Sequence, residues 1–413
     1  MSNRFHAFDA ARAAALSLGV LLHTAMLFRP ANLPQAVARL SPDSIAFVFG
    51  FYFIHIFRMP VFFLMAGFLG RRLLARRGLA GFVRSRLVRI LVPLVAGWVV
   101  FYPPIFAAHM FRIWLSPRTS AAFPSHARGL WQTELSAFDG WKSFAQRFPL
   151  AHLWFLYYLL LMYGLVLTLR WLARNRPAVH RAADTVFRAV LESRYGAVCF
   201  AAPLAIALVR TSNPYGLDAP DHGFLGHYNV LFAYSSFFLI GWLFSCQPDL
   251  LHVIERRTIE NTTAGVVVAA WPLVLLARAA NPATPQLTAL GRVSHHAAYG
   301  LAMVLLTFGF LGIFLRWMPQ PHPAIRYLSD SAYWVYLAHL PVVLAFQAAS
   351  ESLPVHWAVR LTMTVAISFA LLLVTYHYLV RDSWVGVILH GSRRAVTRVQ
   401  VEVPVPADTY HGM

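Results

Sequence analysis

Charge is scarce in this chain. Only 12% of its 413 residues are charged, and lysine is almost missing: of 35 basic residues only Lys142 is one. A soluble domain carries about 25% charged residues. So few charges exclude an ordinary water-facing surface and leave two classes, a very large soluble core or a membrane protein. Cysteine is also rare. Cys199 and Cys246 both fall in apolar runs, so no disulfide framework is implied. No Walker or Gly-x-Gly-x-x-Gly phosphate loop occurs, so no nucleoside triphosphate site is indicated. No internal repeat is visible. His295, His296 and His377 lack metal-ligand spacing, and no metal is expected.

What the chain has in abundance is apolar length. Hydrophobic residues make up 58%, and the mean hydropathy is +0.56. Apolar runs near 20 residues recur, the length a helix needs to cross a bilayer. The expectation is an all-α, polytopic membrane bundle of about ten spans. They lie near 7–28, 45–70, 90–111, 150–169, 196–210, 227–246, 262–280, 299–315, 329–349 and 357–380. Residues 1–380 form the membrane domain. The tail 381–413, ending in VEVPVPADTYHGM, reads as disordered, and 113–149 reads as an external loop with interfacial structure. A cleaved signal is the alternative for the first run, since AAA at 13–15 suits a cleavage site.

The net charge of +19 would suggest nucleic acid in a soluble protein, but its distribution fits a membrane instead. With the N-terminus inside and spans alternating, the inner segments hold 22 basic residues and the outer ones 10. The outer side also takes Asp43, Glu134, Asp139, Asp218, Asp221 and Glu351. That is the positive-inside bias, with both termini cytoplasmic. No nucleic-acid partner is expected.

Three ionisable groups interrupt the first run, FDAARAAALSLGVLLHTA (8–25): Asp9, Arg12 and His23. Arg12, Leu16, Gly19 and His23 recur at i, i+4, i+7 and i+11 and so share one helix face. Arg12 and His23 are separated by roughly 16 Å of rise. Such groups cost several kcal/mol in hydrocarbon unless they face a cavity or a partner. Two readings stand. Either Asp9 pairs with Arg12 at i, i+3 and His23 is a buried neutral histidine, or this face looks into a site. In the second run, FYFIHIFRMPVFFLMAGFLG (51–70), His55, Arg58 and Phe62 share a face near mid-membrane. Arg58 either bonds to carbonyls or a remote acid, or meets a negative substrate group. Beyond it, RRLLARRGLAGFVRSRLVR (71–89) places Arg84, Arg86 and Arg89 before the third run. Anionic lipid, topology or phosphate recognition would each account for them.

Taken together, these residues resemble the membrane-bound acyltransferase 3 family. The resemblance rests on Arg12, ten residues, then His23; on FFLMAGF (62–68); on Arg86-x-x-Arg89; and on YLSDSAYWVYLAHLPVV (327–343). It covers most of residues 4–380. The family usually has Ser where this chain has Ala66, so any role of that hydroxyl is absent. FIHIFRMPVFF (53–63) with HLWFLYYL (152–159) looks most like the glucan biosynthesis protein C subgroup, which succinylates periplasmic glucans.

The resemblance implies transfer of an acyl group from cytoplasmic acyl-CoA, succinyl-CoA or acetyl-CoA, to a hydroxyl of a glucan or other exported polysaccharide. It also implies the bacterial inner membrane. No permanently bound cofactor is expected. Such chemistry needs cations for the CoA phosphates, a base that is neutral near pH 7, and donors for the oxyanion. Arg84, Arg86 and Arg89 are assigned to CoA and His23 to the base, with an acyl-histidine intermediate as the alternative. Arg12 lines the donor cavity, and His55 and Arg58 orient the acyl group. His152 and Trp154 are sugar candidates that equally mark the interface. Tyr333, Tyr336 and His339 share the same ambiguity with helix packing. Oligomeric state is left open. The rival class is a secondary transporter, but paired broken helices are not seen and intramembrane acids are few. A non-catalytic scaffold would not explain Arg12, Arg58 and His23 together.

Overall fold

The computed structural model describes residues 3–27, 42–115, 123–209, 216–217, 219–225, 227–279, 288–350 and 353–390. Among them the chain is helical, with no strand beyond one isolated bridge between Pro149 and His222. In order the helices are α1 Asn3–Leu27, α2 Pro42–Arg86, α3 Val92–Leu115, α4 Phe123–Leu135, α5 Trp141–Arg147, α6 Trp154–Ala173 and α7 Pro177–Glu192. They continue as α8 Gly196–Leu208, α9 Tyr228–Cys246, α10 Leu251–Arg256, α11 Thr258–Ala279, α12 Ala289–Trp317, α13 Pro323–Ser350, α14 Trp357–Thr375 and α15 Trp384–His390. A π-helical turn, Leu87–Leu91, joins α2 to α3, and another, Tyr376–Val380, follows α14.

Seven stretches among the described residues are long and apolar enough to cross a membrane. Counting α7 and α8, which meet at a 109° bend, as one broken span gives eight. One of the seven, Gly50–Trp114, is 65 residues long, and the contacts show it doubling back. Phe8 of α1 stacks on Phe68 of α2 at 4.6 Å, while Gly19 lies against Arg58, so α2 runs antiparallel to α1. Arg12 meets Ser329 and His23 meets His339, so α13 runs parallel to α1. Arg89 meets Tyr333, and Ile105 and Ala108 pack on Leu344, so α3 runs with α13 and against α2.

The arginine-rich segment 71–86 differs from a plain connection. It is helical and prolongs α2, broken only at Gly78 with φ 65°. Arg and Leu are good helix formers, and a left-handed residue is the point where such a helix can kink. The segment after Arg381 differs too. Instead of disorder it turns into α15, whose Leu389 is buried. Residues 391–413 lie outside the described residues, as do Asp218 and Glu351. The expected loop 113–149 holds two short helices, α4 and α5.

Helices α2 and α9 approach each other closely. A β-carbon on Gly67 would collide with the Phe238 carbonyl, and one on Gly241 with the Leu64 carbonyl. Two reciprocal glycines let the backbones touch, the usual device where no hydrophobic drive separates helix from lipid. Around this crossing Phe63, Tyr234 and Trp154 stack, with Phe63–Tyr234 centroids 4.8 Å apart and Trp154–Tyr234 5.7 Å apart. This packing makes the wall against which α1, α3, α6 and α13 enclose a cavity.

Candidate active site

The cavity has a volume of about 1080 Å³ and is lined along its length by α1, α2, α3, α6 and α13. On α13 it runs from Ser329 to Leu344, about 22 Å of helix rise. It therefore spans most of the bundle, and its two ends differ in charge.

One end carries Arg12, Arg86 and Arg89. Arg12 Nη2 donates to Asp9 Oδ1 at 2.8 Å, and Nε donates to Ser329 Oγ at 3.0 Å. Ser329 in turn donates to Asp9 at 3.2 Å, closing a ring of three groups. The i, i+3 pairing of Asp9 with Arg12 is thus present, and Arg12 still faces the cavity. Arg86 lies over the rings of Phe82 and Tyr163 and donates to Tyr163 Oη at 3.2 Å. The Arg89 carbonyl, within the π-turn, accepts from Tyr333 Oη. Arg84 does not join them. It is exposed and off the cavity wall, because two residues carry it about 200° round the helix from Arg86.

Midway stands Arg58, 9% exposed. Its guanidinium packs on the α1 backbone at Gly19, where any β-carbon would strike it. Among the described residues it makes no hydrogen bond and has no acid partner. Among the described residues neither a carbonyl nor a remote acid takes its charge. Tyr234, Tyr336, His23 and His55 line the same cavity as Arg58.

Past Arg58 four histidines gather. His23 and His339 have ring centroids 5.1 Å apart, and His339 and His152 5.2 Å apart. His339 Nδ1 lies 2.7 Å from the Tyr336 carbonyl, and its Nε2 is buried without a partner. His152 Nε2 lies 3.0 Å from the Leu337 carbonyl, and its Nδ1 is buried without a partner. His55 Nε2 lies 3.0 Å from the Leu217 carbonyl, and the ring stacks on Phe51. His23 makes no hydrogen bond among the described residues.

The sugar candidates separate here. Tyr333 and Tyr336 spend their hydroxyls on backbone carbonyls, of Arg89 and of His152 at 2.8 Å. They act as struts between α13, α3 and the start of α6. Trp154 reaches the wall from inside a stack, enclosed by Tyr234 and Tyr158. No three His, Cys or acidic side chains among the described residues are placed to hold a metal ion.

The far mouth brings in groups that sequence reasoning did not assign to the site. Glu134 accepts from Tyr102, and Asp221, His222 and His109 line the rim. His222 Nδ1 lies 3.0 Å from Asp221, whose hydrogen bond raises the imidazole above its ordinary pKa. A roof over this mouth, 219–225, is stitched down by backbone bonds: Gly223 N to Phe148 O, Phe224 N to Ala145 O, and Ala151 N to Asp221 O. Ser329 was also missed, although Ser329, Tyr333, Tyr336 and Leu340 recur at i, i+4, i+7 and i+11 and all reach the cavity.

Residues 5–376 match a family described as an acyltransferase domain. No curated protein and no solved structure matches the chain.

Proposed function

Because the chain belongs to that acyltransferase family, we propose that it carries an acyl group from acyl-CoA to a hydroxyl of a glycan across a membrane. The observation that carries this reading is Arg58. A buried guanidinium with no partner among the described residues, facing the cavity that His23 also lines, awaits an anion. A dicarboxylic acyl group supplies one, so succinyl-CoA is the favoured donor and acetyl-CoA the second. The guanidinium lines the same cavity as the reacting histidines and would steady an oxyanion there.

The roles follow the cavity. Arg86 and Arg89 take the CoA phosphates, Arg12 lines the passage of the pantetheine arm, and His55 borders the acyl group. His23 removes the hydroxyl proton as the new C–O bond forms. The thioester C–S bond then breaks, and the proton passes to the leaving thiolate, giving ester and free CoA. The lone pairs on His152 Nδ1 and His339 Nε2 suit hydrogen-bond donors such as sugar hydroxyls and ring N–H groups.

Ten crossings fit this scheme. Gly50–Trp114 contributes two, the bent α7–α8 pair one, and α1 one more. Asp9, Arg12 and His23 lower the hydropathy of α1. Both termini are then cytoplasmic, the arginine end faces acyl-CoA, and the acceptor is a periplasmic glucan or other exported polysaccharide beyond a bacterial inner membrane.

The test is CoA release by purified protein given succinyl-CoA or acetyl-CoA with a soluble β-glucan, for wild type and His23→Ala. Release by wild type and not by a folded His23→Ala variant supports the reading. A wild type that binds neither CoA ester and releases nothing refutes it and turns attention to transport.

A further inference from the structure

We propose that His339 is a positioning residue for His23, deciding which ring nitrogen of His23 faces the acceptor hydroxyl. The inference rests on the acyl-transfer reading above, and its geometry is independent of the acyl group's identity.

A carbonyl oxygen only accepts hydrogen bonds. The Tyr336 carbonyl, 2.7 Å from His339 Nδ1, therefore fixes the proton of a neutral His339 on Nδ1. Its Nε2 is then a lone pair, and it is buried with no partner. A buried acceptor left empty is costly, so the site calls for a donor. His152 cannot supply one. Its Nε2 proton is committed to the Leu337 carbonyl, which leaves Nδ1 as a second lone pair. His23 can. Its ring centroid is 5.1 Å away, and no hydrogen bond holds it among the described residues, so it is free to turn a nitrogen toward Nε2.

The chain of bonds then reads from the Tyr336 carbonyl to Nδ1–H of His339, and from His339 Nε2 to an N–H of His23. With that proton engaged, the other nitrogen of His23 is the lone pair that takes the acceptor proton. His339 itself is clamped. Tyr336 Oη donates to the His152 carbonyl, while His152 Nε2 donates to the Leu337 carbonyl, tying the turn of α13 just before His339 to the start of α6. A fixed histidine orienting a free one is the geometry a general base needs.

Two amide variants test this. His339→Gln puts an amide oxygen where Nε2 stood and can still accept from His23. His339→Asn puts its amide near Nδ1, bonds to the Tyr336 carbonyl, and leaves nothing at Nε2. Both are polar and of similar size, and acyl-CoA binding by thermal shift reports that each is folded. In steady-state CoA release, the Gln variant is expected within about tenfold of wild-type kcat and the Asn variant about 100-fold below it. The donor KM should be unchanged in both. Equal kcat for the two variants, or an Asn variant at the wild-type rate, overturns the inference while acyl transfer stands. A wild type that binds neither CoA ester and releases no CoA sinks the acyl-transfer reading, and this inference with it.

Discussion

Gly19→Ala offers a sharp test of Arg58, because its local and distant effects have opposite signs. In a helix interior alanine is more favourable than glycine by about 0.8–1.0 kcal/mol. Residue 19 lies well inside α1, so secondary structure alone predicts a gain in stability. The added β-carbon, however, collides with Arg58 Nη1, the free end of a flexible side chain. The guanidinium moves, and the fold stays. A hydrogen bond to a charged group is worth about 1.5–3 kcal/mol. If Arg58 holds the carboxylate of a succinyl group, its displacement lowers kcat/KM for succinyl-CoA by about 10- to 150-fold. Acetyl-CoA has no such carboxylate, so its kcat/KM falls less and the preference shifts toward acetyl. The assay is kcat/KM for both donors, with the unfolding temperature measured in the same detergent. An unchanged donor ratio in a folded Gly19→Ala variant would refute the placement of the acyl carboxylate at Arg58.

Other expectations follow from the same structure. Arg86→Gln and Arg89→Gln should each raise the acyl-CoA KM about tenfold and steepen no salt dependence, whereas Arg84→Gln should leave KM unchanged, as steady-state kinetics will report. Ser329→Ala removes one acceptor of Arg12 and should cost about 0.5–1.5 kcal/mol of stability, read by thermal unfolding, because Asp9 still holds the guanidinium. Gly67→Leu should separate α2 from α9 and cost about 1–3 kcal/mol, seen as a lower unfolding temperature with loss of activity.

The features visible in the sequence are those carried within one helix. The 3.6-residue period placed Arg12, Leu16, Gly19 and His23 on one face, and all four line the cavity. The i, i+3 pair of Asp9 and Arg12 is local as well. What escaped depends on contacts far apart in the chain. Ser329 lies 317 residues from Arg12, and nothing in either segment announces the pair. His339 was marked for substrate, and only the meeting of α1 with α13 brings it beside His23. Tyr333 and Tyr336 looked like site residues because their face is right, but their hydroxyls are taken by carbonyls of other segments. Segment 71–86 read as a connection because charge dominates it, and helix propensity carried α2 onward to Gly78 and past it.

Arg58 has one more consequence, for what the membrane must keep apart. A cavity running about 22 Å along α13, most of the way through a bilayer core about 30 Å thick, is a route by which protons and sodium could run down their gradients. Arg58, which has no acid partner among the described residues and sits halfway along, repels small cations that enter from either end. A charge placed to grip an acyl group during turnover would also oppose cation leakage through the cavity between turnovers.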